Sequence, residues 1–90
     1  MSGMQQEITS RLNLLAPQHI EFHDDSHRHA GHAGSNGGGH FRLLIVSQAF
    51  HGLNRLQRQR AVQDPLQTLF ESGLIHALSI RALTPEEYAA

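Results

Sequence analysis

The segment from Ser26 to Gly39 constrains this chain most. It holds five Gly, two Ser, three His and an Asn, and its only apolar side chains are two Ala. Little in it can be buried against a core, which predicts a flexible loop over 26–39. Both flanks read as strands. His19–Asp25 alternates, with Ile20 and Phe22 on one side and Glu21 and His23 on the other, the pattern of a half-buried strand. His40–Ser47 (HFRLLIVS) is apolar on both faces, which suits a central strand. Two successive strands joined by a loop can pair antiparallel.

The rest of the chain supplies helices and one more strand. Ile8, Leu12 and Leu15 recur at helical spacing, so a first helix is expected over about Gln5–Ala16, stopped by Pro17. A short helix is expected from about Asn54 to Arg60. Val62, Leu66, Leu69 and Phe70 mark a second helical face beyond it, with Asp64-Pro65 read as an N-cap followed by proline. Gly73 is placed to end that helix. Leu74–Leu83 then reads as a third strand, with His76, Leu78, Ile80 and Ala82 on one face and Ile75, Ala77, Ser79 and Arg81 on the other. Thr84-Pro85-Glu86-Glu87 is a start signal for a terminal helical turn. The order α-β-β-α-α-β predicts one α+β domain over 1–90, a three-stranded mixed sheet with helices packed on one face. Phe22, Phe41, Phe50 and Phe70 are expected in its core.

Composition narrows the chemistry. At 90 residues, 39% apolar and 17% charged, the chain suits one small globular core. No apolar run is long enough to span a bilayer, and Met1–Gln6 lacks the pattern of a secretory signal. A cytoplasmic setting without membrane contact is expected. Seven Arg, no Lys and eight Asp plus Glu leave a net charge of −1, which argues against a strong nonspecific grip on nucleic acid. There is no G-x-S-x-G, H-E-x-x-H or phosphate-binding glycine motif, so enzyme readings find no support. The GXXG match Gly34-Ser35-Asn36-Gly37 lies between strands, the wrong context for an RNA clamp.

Cysteine is absent and histidine is abundant, eight in 90. Metal sites built on the chain's own thiolates are therefore excluded, and an iron–sulfur cluster would need imidazole here, a borderline ligand for Fe, Zn, Cu and Ni, with thiolates from elsewhere. The loop carries His27-x-His29-x-x-His32, and His76 opens the last strand. The plain alternatives are a solvated loop and a half-buried polar residue at a strand edge. Arg55, Arg58 and Arg60 form a basic run that can face DNA, an acidic partner or solvent.

Four blocks together resemble the BolA family: DDSHRHAGHAGS, HFRLLIVS, FHGLNRLQRQRAVQDPL and IHALSIRALTPEEY. The resemblance implies a fold like class II KH domains and no catalytic activity. It implies partnership with a monothiol glutaredoxin, the pair sharing a [2Fe–2S] cluster with glutathione supplied by the partner. Under that reading His76 is a cluster ligand and His29 the best match to the loop ligand, with His32 second and His27 third. The family is also described as including DNA-binding transcription regulators linked to stress response and cell shape, a role for which Arg55, Arg58 and Arg60 are the candidates. Alone, the chain is expected to be a monomer or weak homodimer. One departure stands out: where the family typically reads Arg-His-Arg, this chain reads Arg58-Gln59-Arg60, and Gln59 cannot titrate.

Overall fold

The computed structural model describes residues 3–26 and 39–90. The first helix, α1, spans Gly3–Arg11 and tightens into a 3-10 turn over Leu12–Leu15. The expected single helix over 5–16 is thus split, and Ala16, with φ of 48°, closes it in the left-handed region. The periodic residues still do their predicted work: Ile8, Leu12 and Leu15 are all buried. Each such side chain contributes about 1.5–3 kcal/mol when fully removed from water.

The sheet has three strands, β1 (His19–Asp24), β2 (Gly39–Val46) and β3 (Ile75–Leu83), in the order β1-β2-β3. β1 pairs antiparallel with β2, and β3 pairs parallel with β2. The central position of β2 follows from its burial on both faces. Phe41, Leu43 and Ile45 point into the helix layer, while Val46 is buried outside that cluster. Phe22 packs against the core from β1, its ring 5.2 Å from that of Phe41.

Helix α2 runs Arg55–Gln63 with a full capping box, Asn54 and Gln57 each bonding the other's backbone. It passes through a 3-10 turn, Asp64–Leu66, into α3, Gln67–Glu71. Asp64 is not the expected N-cap. Its own φ and ψ are helical and it closes α2, while no side chain caps the turn. Pro65 lacks an N–H, so the chain tightens there instead of restarting. Val62, Leu66 and Leu69 are buried, and Phe70 and Leu53 pack against them. Phe50 is fully buried in the 3-10 turn Gln48–Phe50. Gly73, at φ 84°, ends α3 as expected.

Two findings depart from the pattern-based expectation. The last element, α4 (Pro85–Ala89), has the predicted Thr84–Glu87 capping box but buries none of its own residues in the core. Its Tyr88 stacks on His19, at 5.1 Å, and His19 shares the face of β1 opposite Ile20 and Phe22. The second departure is in β3. Gly39 pairs with Ile75 but His40 pairs with Ala77, so one extra residue is inserted there. Ile75 takes the core position, and His76 is exposed rather than sharing the inner face of Leu78, Ile80 and Ala82.

Candidate metal centre at the head of the sheet

His76 sits at the inserted residue near the start of β3 and is exposed. The His40 ring, half-buried on β2, lies 5.0 Å from it at an angle of 42°. The described residues on either side of 27–38 are tied down beside this pair. Asp25 N–H donates to the His40 carbonyl at 2.7 Å, and His40 N–H donates to Ser26 Oγ at 2.9 Å. Gly39 N–H donates to the Leu74 carbonyl at 2.9 Å. Asp25 is in turn gripped by Arg42, at 2.6 and 3.4 Å.

The loop candidates His27, His29 and His32 lie outside the described residues. His29 is three residues beyond the anchored Ser26, a reach of at most roughly 10 Å. Among the described residues, no three His, Asp or Glu side chains converge on one point. The donor set at this end is therefore imidazole nitrogen, with the loop adding more in sequence. Such donors fit an iron site that takes its sulfur from elsewhere.

Reading the sequence alone missed His40 as a neighbour of His76. A histidine opening a central strand is a weak signal, and only the β2–β3 register brings the two rings together.

The basic run divides. Arg55 and Arg60 are exposed. Arg55 and Arg58 border one groove against β3, as their spacing predicts. Arg58, however, is spent internally. Its guanidinium donates to the Leu53 carbonyl at 2.9 Å, the Ala82 carbonyl at 3.1 Å and Glu87 at 2.7 and 3.2 Å. Gln59 lines the same groove. A DNA role resting on all three Arg thus has two with exposed side chains.

A further cluster lies on the open face of the sheet. His19 Nε2 is 2.8 Å from Glu21 Oε2, and the Tyr88 hydroxyl donates to the same oxygen at 3.4 Å. The hydrogen bond with His19 is the main cause holding the Glu21 carboxyl below the usual carboxylate range.

The fold is a small three-stranded mixed sheet under a helix layer, with an imidazole pair at one end of the sheet and no cysteine in the chain. The profile of the BolA-like protein family matches residues 12–87, and the chain belongs to that family. It is 48% identical over 79 residues to SufE-like protein 1 of Arabidopsis thaliana, covering 81% of this chain and 21% of that protein. It thus spans about a fifth of that relative. The acid stress protein IbaG of Escherichia coli K12 is 40% identical over 55 residues, 61% of this chain and 66% of its own. The solved BolA domain of SufE1 from Arabidopsis superposes with a TM-score of 0.83 at 42% identity, covering 97% of this chain and 98% of that one. BolA1 from the same plant gives 0.82 at 32% identity, with the same coverage. No helix among the described residues is long and apolar enough to cross a membrane.

Proposed function

We propose that this chain is a non-catalytic adaptor that binds a monothiol glutaredoxin and holds a [2Fe–2S] cluster jointly with it, serving cluster assembly or trafficking and iron or redox regulation. The observation that supports this most is the exposed imidazole of His76 at the strand end where the His-rich loop is anchored. A cluster needs four ligands, and this chain has no thiolate to give. The partner's Cys and its glutathione contribute two sulfurs. His76 and one loop histidine, His29 before His32, contribute two nitrogens. Replacing thiolates by imidazoles raises the reduction potential of such a centre. A reducing, glutathione-containing compartment such as the cytoplasm suits this role. The likeness to an acid stress protein is compatible with a stress-linked setting.

The test mixes the chain with cluster-loaded glutaredoxin and records visible absorption and circular dichroism. The expected result is a new spectrum, lost with His76→Ala. An identical spectrum with His76→Ala overturns the proposal. The DNA-binding alternative is separated by a gel shift that responds to Arg55→Ala and Arg60→Ala and ignores His76→Ala.

A further inference from the structure

His40 and His76 belong to neighbouring strands that pair directly, so their backbones are held in one register. Their ring centres are 5.0 Å apart and their planes meet at 42°. Two imidazoles bound to one ion through nitrogen–metal bonds of about 2.0–2.1 Å have ring centres roughly 4.5–5 Å apart. The observed pair is already at that separation. The ordering cost of closing a long Gly-rich loop on an ion therefore does not arise.

We propose that His40 and His76 form a two-imidazole site for a single borderline divalent ion, Cu2+ before Ni2+ or Zn2+, which the chain offers without any partner. The inserted residue in β3 is what makes the site, because it turns His76 out beside His40. Water completes the coordination, since no third described side chain converges there. The site shares His76 with the proposed cluster, so an ion bound here and a cluster shared with glutaredoxin exclude one another. The proposal does not depend on the cluster reading, and its test contains no glutaredoxin.

The test uses the full chain carrying His27→Ala, His29→Ala and His32→Ala, which removes competing loop imidazoles. One equivalent of Cu2+ is added and pulsed EPR counts the bound imidazoles. The expected count is two, falling to one or none when His40→Gln or His76→Gln is added. Gln retains a polar side chain of similar size, and unchanged far-ultraviolet circular dichroism shows that the strands still pair. A two-imidazole signal indifferent to His40→Gln, or no such signal in the loop-substituted chain, overturns the proposal.

Discussion

Arg58 of α2 grips Glu87 of α4 through two guanidinium nitrogens, at 2.7 and 3.2 Å, across 29 residues of sequence. The same guanidinium bonds the carbonyls of Leu53 and Ala82. One side chain thus fastens the turn before α2, an edge strand and the C-terminal helix. Paired, planar recognition of this kind suits Arg and not Lys.

Arg58→Ala removes this fastening and leaves two carbonyls without their donor. The expected loss is about 1–3 kcal/mol. A thermal melt should show a fall of at least about 4 °C. Arg55→Ala, on an exposed side chain, should shift the same melt hardly at all. Equal effects from the two substitutions contradict the assignment.

Glu87 gives the junction a pH dependence. The Arg58 hydrogen bonds, then the Thr84 backbone N–H, lower its carboxyl from 4.5 to about 2. A carboxyl lowered on folding stabilises the fold above its unfolded value and ceases to do so as pH falls through its folded value. The contribution is therefore complete above 4.5 and disappears on acidification toward about 2. Glu87→Gln keeps a capping-box residue but no charge. Urea denaturation across this interval should be less steep in pH for Glu87→Gln than for the parent chain.

Gly39 opens β2 at the foot of the loop, and a Cβ there would overlap the ring of Phe41. Phe41 is a core residue, only 6% exposed, and cannot swing aside freely. Gly39→Ala should lower the melting temperature by displacing either the ring or the strand end, a cost of about 1–3 kcal/mol. Because the shift falls beside His40, the same substitution should weaken Cu2+ binding in the EPR experiment.

Acid should release the proposed shared cluster. An imidazole ligates only when deprotonated, so protons compete with iron for nitrogen donors. The mixed complex with glutaredoxin should therefore bleach at a higher pH than a glutaredoxin cluster held by sulfur alone. Bleaching of both at the same pH, followed by visible absorption, contradicts nitrogen ligation.

Much of the fold was readable residue by residue. Ile8, Leu12 and Leu15 announced a buried helical face, and Thr84 with Glu87 announced a cap, because both signals depend on neighbours three or four positions away. The polar, glycine-rich sequence between Ser26 and Gly39, whose only apolar side chains are two Ala, announced the antiparallel pairing of β1 and β2. Asp64 misled for a local reason as well. An Asp-Pro pair resembles a helix start, yet here the preceding helix continues through it as a 3-10 turn.

The candidate site was readable as a list of imidazoles and not as an arrangement. Strict alternation put His76 on one face with Leu78, Ile80 and Ala82, and a single extra residue opposite Gly39 and His40 separated it from them. The pairing of Arg58 with Glu87 and the stacking of Tyr88 on His19 likewise join distant stretches of chain. Helix faces, caps and chain breaks arise from contacts a few residues apart, so the order of residues alone carries them. Strand register, the outward turn of one histidine and the partner an arginine takes are settled by packing between remote segments, where a one-residue slip changes every neighbour.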